Sequence, residues 1–105
     1  MYTLITGATS AQAYKLKNAL QPEQVILGDY LDLPATMLAS GAMIKLPNPA
    51  SASYAHEMLT LCLDRQVDNV YPLKDAELRL LSEAEQLFGE YGIKISKHNN
   101  EPLNQ

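Results

Sequence analysis

The sequence predicts an α/β fold with three α/β/α layers around a parallel sheet of about five strands. Short apolar runs alternate with stretches of helical periodicity, a pattern typical of strands joined by right-handed helical crossovers. Residues 3–14 lead from an apolar run through Gly7 into a helix-forming stretch, and Asp29 ends the next apolar run. Glycine is favoured at such a turn because it adopts positive φ at little cost. A strand, a glycine turn and a helix in this order indicate a Rossmann-like domain.

Three strands are predicted in the first half of the chain. Ser10 is suited to cap the helix after the first strand, because its hydroxyl oxygen accepts a hydrogen bond from a backbone N–H of the first turn. Ala13, Leu16 and Leu20 then form the inner face of that helix. Gly41 interrupts the chain before the third strand. We expect strands at 2–6, 25–29 and 43–46, a helix from 10 to about 20, and a short helical or irregular segment ending near 39.

The second half contains two longer helical patterns and two strands. Ser51 or Ser53 is suited to cap the first helix, and Asp75 to cap the second. Gly92 is placed to end the second helix in a left-handed conformation. The predicted inward residues are Ala55, Met58, Leu59, Cys62 and Leu63, followed by Leu80, Ala84, Leu87, Phe88 and Tyr91. Strands are expected at 68–71 and 93–95, so residues 1–96 form the domain and residues 97–105 a polar tail.

The predicted strand order is 3-2-1-4-5, with a switch point between strands one and four. In sheets of this kind, ligands bind at the carboxyl ends of the strands beside the switch point. Helix N-termini at Ser10 and Asp75 direct partial positive charge to this edge. The residues expected there are Gly7, Ala8, Thr9 and Ser10 from the first turn, and Pro72, Leu73, Lys74 and Asp75 from the fourth.

The first turn carries only part of the dinucleotide-binding fingerprint. That fingerprint has the glycines of G-x-G-x-x-G and an acid about 20 residues later. Gly7 and Asp29 are present, whereas Thr9 replaces the second glycine and neither Gln12 nor Ala13 supplies the third. Nucleotide binding and a turn that only builds the fold are both compatible with this pattern. We expect Asp29 to lie near solvent at its strand end, and Gly7→Val to destabilise the fold more than Asp29→Ala.

Lys74, Asp75 and Glu77 each have two interpretations. Asp75 and Glu77 form a candidate carboxylate pair at a ligand site, but acids at a helix start are also selected by capping and by the helix dipole. Lys74 is placed either to contact an anionic ligand, such as a phosphate or a carboxylate, or to extend into solvent from its loop. Structural roles are the simpler interpretation for all three side chains.

Composition and length argue against several classes of protein. The chain has 105 residues and a net charge of −4 without a cluster of Lys and Arg, which argues against nucleic-acid binding. It shows no signal-peptide pattern and no run of ~20 apolar residues, so we expect a cytoplasmic protein without membrane association. Cys62 belongs to an apolar helical stripe and is expected to be inert. His56 and His98 lack partners at ligand spacing, so no metal site or catalytic triad is predicted.

Three motifs resemble the N-terminal domain that precedes the ATP-binding region in ATP-grasp ligases. They are Gly7-Ala8-Thr9-Ser10-Ala11-Gln12, Leu27-Gly28-Asp29 and Tyr71-Pro72-Leu73-Lys74-Asp75-Ala76-Glu77-Leu78. The resemblance covers roughly residues 2–96 and is to the pre-ATP-grasp domain of enzymes such as biotin carboxylase and the carbamoyl-phosphate synthase large chain. It implies that a substrate or the ATP-grasp partner domain faces Gly7, Thr9, Ser10, Pro72, Asp75 and Glu77.

The resemblance also implies a domain that is catalytically incomplete alone, on the substrate side of a carboxylate–amine or carboxylate–thiol ligase. ATP and magnesium would bind to the later ATP-grasp domain, in cis or in trans, and no cofactor would bind to this chain alone. A small carboxylate is the implied substrate class, and self-association is compatible with it. The alternatives are a stand-alone nucleotide-binding or sensor module that uses Gly7 and Asp29, and a scaffold that only associates with itself or a partner.

Overall fold

The computed structural model describes residues 2–20 and 22–97, which form an α/β fold around one parallel sheet. The strands are β1 (Tyr2–Ile5), β2 (Val25–Asp29), β3 (Met43–Lys45), β4 (Val67–Tyr71) and β5 (Lys94–Ile95). The helices are α1 (Ala11–Ala19), α2 (Ala35–Ser40), α3 (Tyr54–Asp64), α4 (Asp75–Glu83) and α5 (Glu85–Glu90), with a short 3-10 helix at Pro22–Gln24. The sheet order β3-β2-β1-β4-β5 confirms the predicted topology. His98 and the predicted tail beyond Lys97 lie outside the described residues.

Neighbouring residues of the sheet pack against helices on opposite faces. Leu4 belongs to a core cluster on the face covered by α3, α4 and α5, whereas Ile5 belongs to a cluster on the face covered by α1 and α2. Successive strand residues point to opposite faces, so a strand that is apolar at both positions needs helices on both sides. The larger cluster includes Leu4, Met58, Val70, Leu81 and Phe88, and the smaller includes Ile5, Ala13, Leu16, Leu27 and Met43. The predicted three layers are therefore present.

Two glycines adopt the left-handed conformation that their turns require. Gly7 has a φ of 71° after β1, and Gly92 has a φ of 76° after α5. The N–H of Ile93, just beyond Gly92, donates to the Phe88 carbonyl oxygen with an N···O distance of 3.0 Å. A Cβ atom would strain either position, which is why glycine is favoured there. The sequence predictions for both turns are confirmed.

The buried row of α3 differs by one residue from the predicted row. Tyr54, Met58 and Cys62 recur every four residues and are buried, whereas Leu63 is 47% exposed. The prediction began the inward row at Ala55 and overlooked Tyr54. Met58, Leu59 and Cys62 are buried as predicted, so the prediction fails at the two ends of α3, where Tyr54 is buried and Leu63 is exposed.

The single helix predicted over residues 75–91 consists of two helices. They are separated at Ala84, which has a φ of −100° and a ψ of 10°. The break interrupts the helical periodicity, so Tyr91 is 53% exposed and not inward, and Leu81 is fully buried although it was not predicted inward. The other predicted inward residues, Leu80, Ala84, Leu87 and Phe88, do belong to or pack against the larger cluster.

Two of the predicted helix caps are replaced by other contacts. Ser53 is the N-cap residue of α3, but its hydroxyl donates to the Glu57 carboxylate, as does the Ser51 hydroxyl at 2.8 Å. Turned toward Glu57, the Ser53 hydroxyl oxygen accepts no hydrogen bond from a backbone N–H of the first turn of α3. Lys74 is the N-cap residue of α4, so Asp75 lies inside the first turn and does not cap it.

Candidate functional site

The predicted site residues meet at one edge of the sheet, where β1, β2 and β4 end. We call residues 6–10, 29–31 and 72–77 the carboxyl edge. The N–H of Ala8 donates to the Gly28 carbonyl oxygen at 3.0 Å, which joins the first turn to β2. The N–H of Leu73 donates to the Thr6 hydroxyl oxygen at 3.1 Å, which joins the turn after β4 to the end of β1. These hydrogen bonds hold the three segments together.

Asp29 is fully buried at the end of β2, so the expectation that it lies near solvent is wrong. Its Oδ2 accepts hydrogen bonds from the N–H and the hydroxyl of Thr9 at 3.4 and 3.2 Å. Its Oδ1 accepts from the Leu31 N–H at 3.2 Å and from the Lys74 ammonium at 3.1 Å. The fold buries this carboxylate because donors on the first turn and on the turn after β4 replace water.

The pKa of Asp29 lies below its ordinary value. Burial alone raises the pKa, but the Leu31 hydrogen bond, the hydrogen bond and charge of Lys74, and the Thr9 N–H together outweigh burial. Asp29 is therefore ionised at neutral pH, and the fold itself supplies the positive charge that balances it.

The contacts of Asp29 show how this turn differs from a complete dinucleotide-binding site. In such a site, the acid at this position accepts a hydrogen bond from a ribose hydroxyl. Here Thr9, at the second glycine position of the fingerprint, donates to the acid instead. Ala13, next to the third glycine position, is fully buried, so α1 approaches the sheet closely despite the methyl group. The turn has the positive-φ glycine of the fingerprint but lacks its free acid.

Lys74 connects the turn after β4 to the end of β2. Its Nζ lies 3.1 Å from Asp29 Oδ1 and 4.7 Å from the centre of the Tyr30 ring, and its side chain is 27% exposed. Guanidinium or ammonium groups over aromatic rings are held by the ring's negative face. Neither sequence interpretation of Lys74 describes this arrangement, because the ammonium is neither free for an anion nor fully solvated.

Ala8, Ser10 and Pro72 support the carboxyl edge from within. Ala8 is fully buried in the smaller core cluster, and Pro72 is also buried. The Ser10 hydroxyl donates to the Gly7 carbonyl oxygen at 2.8 Å and accepts from the Ala13 N–H at 3.2 Å, which confirms Ser10 as the N-cap of α1. The exposed members of the predicted set are Thr9 and Asp75.

Glu77 occupies an unexpected position inside the protein. Although it lies in the first turn of α4, its side chain is fully buried. Its Oε2 accepts a hydrogen bond from the Tyr54 hydroxyl of α3 at 2.8 Å. Its Oε1 has no hydrogen-bond partner among the residues that the structure describes. Asp75 is exposed, so the two acids do not form the carboxylate pair that was one interpretation of the sequence.

The pKa of Glu77 lies above its ordinary value. Burial is the largest cause of the raised pKa, and the negative charge of Asp29 adds to it. Hydrogen bonding by Tyr54 and by the Thr6 hydroxyl and the charge of Lys74 lower the pKa but do not outweigh burial. The N-terminus of α4 favours a carboxylate by about 0.3–1 kcal/mol. Removing an ion from water costs several kcal/mol, so burial outweighs the helix dipole.

Sequence reasoning missed Tyr54 and Thr6, which are both buried next to Glu77. Each had a weak signal. Tyr54 begins the four-residue repeat of the α3 buried row, and Thr6 is a polar residue directly after an apolar strand. Buried hydroxyl groups need partners, but the sequence alone does not show which partner each one finds.

Cys62 is buried in the larger core cluster, as the apolar helical stripe predicted. Burial raises the pKa of its thiol to about 12, so the thiol keeps its proton at neutral pH. Across residues 2–20 and 22–97, no three His, Cys, Asp or Glu side chains are grouped so that they could hold a metal ion. No helix in the same ranges is long and apolar enough to cross a membrane.

Comparison with known proteins agrees with the fold and with the motifs at the carboxyl edge. No curated protein matches the chain. A family model described as PylC-like, N-terminal domain matches residues 4–96. This range begins in β1, ends just after β5 and includes all of the carboxyl edge. The chain therefore belongs to the PylC-like N-terminal domain family, a pre-ATP-grasp type of domain.

Proposed function

We propose that the chain is the substrate-side N-terminal domain of an ATP-grasp-type ligase that joins a carboxylate to an amine or a thiol. The observation that carries this proposal is the family match over residues 4–96. In this role the domain is catalytically incomplete alone. An ATP-grasp domain, in the same polypeptide or in another chain, binds ATP and magnesium and performs the transfer.

The contacts at the carboxyl edge support the assignment of ATP binding to the partner domain. Asp29 and Lys74 are bound to each other at 3.1 Å, so neither group is free to hold a ribose or a phosphate. We therefore assign ATP to the partner domain. Thr9 and Asp75 are the exposed candidates, and we propose that they face the acceptor substrate or the partner domain.

The test is a phosphate-release assay with ATP and a panel of small carboxylates and amines. The chain alone is expected to release no phosphate above the buffer control. An ATP-grasp domain from the same polypeptide or from a neighbouring reading frame is expected to turn over only when this chain is present. The same ATP-grasp domain without the chain is the matched control. Turnover by the chain alone, or the lack of any ATP-grasp domain in those two places, would contradict the proposal.

A second candidate is a stand-alone nucleotide-binding module. The positive φ of Gly7, with an acid at the end of β2, is the observation that favours it. A ligand at 100 times its dissociation constant adds about 2.7 kcal/mol, which raises the melting temperature of a domain of this size by roughly 10 °C or more. We expect NAD(H), NADP(H), ATP and AMP each to shift it by no more than about a degree, because Asp29 is already engaged. A shift near 10 °C would favour this second function.

A further inference from the structure

Glu77 Oε1 is the buried side-chain polar atom without a hydrogen-bond partner within residues 2–20 and 22–97. Buried polar atoms of this kind are uncommon in folded proteins and call for an explanation. We propose that Glu77 is a buried carboxylic acid that keeps its proton at neutral pH, and that the packing of α4 against α3 at the carboxyl edge therefore depends on this proton.

The groups around Glu77 offer no free positive charge. Tyr54 on α3 donates one hydrogen bond, and the buried thiol of Cys62 lies further along the same helix. Asp29, from β2, contributes negative charge. Lys74 contributes positive charge, but its ammonium is bound to Asp29 at 3.1 Å. The remaining neighbour is the Thr6 hydroxyl, which is uncharged and lowers the pKa of Glu77, although no donor lies within hydrogen-bond geometry of Oε1 among the described residues.

Protonation of Glu77 removes the need for a balancing positive charge, and it requires no rearrangement of the neighbouring groups. The proton resides on Oε1, and Oε2 continues to accept from the Tyr54 hydroxyl. A neutral acid with one unmade hydrogen bond costs less than an unpaired buried charge. When the proton is lost, the carboxylate must reach water, and the first turn of α4 must loosen from α3. The turn that carries Lys74 directly precedes this helix, so it loosens as well.

The sign of the pH effect follows from the raised pKa of Glu77. Stability from the neutral acid is fully present below the unfolded-state value near 4.5, and it is lost as the pH rises toward the folded-state pKa. In this interval the unfolded chain has released the Glu77 proton and the folded chain still holds it. Asp29 acts in the opposite direction, because its pKa is lowered.

Urea unfolding of the wild type and of Glu77→Gln, from about pH 4 to about pH 8, tests the proposal. The ratio of the wild-type unfolding constant to that of Glu77→Gln is expected to rise by up to about tenfold per pH unit above 4.5. Glu83→Gln changes an exposed glutamate of the same helix and is the matched control, for which no such rise is expected. A ratio for Glu77→Gln that stays constant or falls with pH would overturn the proposal.

A measurement on the wild type keeps the proposal testable if Glu77→Gln does not fold. Infrared spectroscopy of protein labelled with carbon-13 glutamate distinguishes a protonated carboxyl group from an ionised one. A protonated glutamate band at neutral pH supports the proposal, and a spectrum without this band refutes it. Both experiments are independent of whether the chain works with an ATP-grasp partner.

Discussion

Asp29 and Glu77 are two fully buried acids at the same edge of the sheet, but their surroundings differ. Asp29 accepts hydrogen bonds from Thr9, Leu31 and Lys74, whereas Glu77 accepts one from Tyr54. The first environment replaces the lost water and stabilises a carboxylate, and the second does not. Burial therefore has opposite outcomes at the two positions. The ion pair of Asp29 and Lys74 stabilises the turn after β1, whereas the neutral acid Glu77 stabilises the start of α4.

Among the substitutions that test this difference, Asp29→Ala is expected to lower the stability of the protein the most. The substitution removes the acceptor for Thr9 and Leu31 and leaves the Lys74 ammonium without its partner. Breaking a buried ion pair costs about 3–5 kcal/mol, and because Lys74 partly reaches water we expect a loss of about 3 kcal/mol. Urea unfolding at neutral pH measures the loss.

Asp32→Ala is the matched control for that substitution. The Asp32 side chain is fully exposed and lies 3.6 Å from Lys45, so its removal is expected to have no measurable effect. Equal stabilities of the two variants would show that Asp29 does not hold the buried ion pair described above.

Tyr54→Phe tests the hydrogen bond between Tyr54 and Glu77. The substitution keeps the ring in the core but removes the hydroxyl that donates to Glu77 Oε2, which leaves this buried oxygen without its donor. Such a loss costs about 1–3 kcal/mol. The pKa of Glu77 should also rise, because the Tyr54 hydrogen bond lowers it. Thermal unfolding compares this variant with Tyr91→Phe, an exposed control, and equal melting temperatures would contradict the contact.

Lys74→Met is expected to have a smaller effect than Asp29→Ala, about 2 kcal/mol at neutral pH, because it leaves Asp29 as a buried charge that still accepts from Thr9 and Leu31. The effect of Lys74→Met should be clearer in the dependence of stability on acidic pH. Stability from Asp29 is present above its unfolded-state pKa and is lost as the pH falls through its folded-state pKa. Without Lys74 that pKa rises toward the unfolded-state value, so the stability lost on acidification should be smaller. Lys45→Met is the control, and identical acid unfolding curves for the two variants would argue against the ion pair.

Gly7→Ala is expected to have the smallest effect, a loss of about 1 kcal/mol. A Cβ atom at Gly7 would lie 3.5 Å from Leu73 Cβ, an ordinary contact, so only the positive φ contributes strain. Gly89→Ala should instead stabilise the chain by up to about 1 kcal/mol, because Gly89 lies in α5 with open space around it. Chemical unfolding of both variants should show opposite signs, and the same sign would refute this account of Gly7.

The fold was predictable from the sequence because its signals are local. Leu4 and Ile5 indicate a strand buried on both faces, and Gly7 and Gly92 mark turns that need a positive φ. The motif that begins at Gly7, together with those at residues 27–29 and 71–78, also led to the correct family. The break at Ala84 was not predictable in this way, since the helical pattern continues across it.

The environment of the site residues was not predictable, because it depends on contacts between distant parts of the chain. Asp29 meets Lys74 across 45 residues, and Glu77 meets Tyr54 across 23. The expectation that Gly7→Val costs more than Asp29→Ala assumed a solvated Asp29, and the burial of Asp29 removes that basis. The sequence pattern placed both acids correctly at the carboxyl edge. Their charge depends on the side chains that pack around them, which the pattern does not show.

Carbon-13 NMR titration of the two carboxyl groups in one wild-type sample tests the central comparison most directly. We predict that Asp29 titrates below its ordinary pKa of 3.8 and that Glu77 titrates above its ordinary pKa of 4.5. The two shifts are measured in the same molecule, so no variant has to fold. A Glu77 pKa at or below 4.5, or an Asp29 pKa above 3.8, would contradict the account.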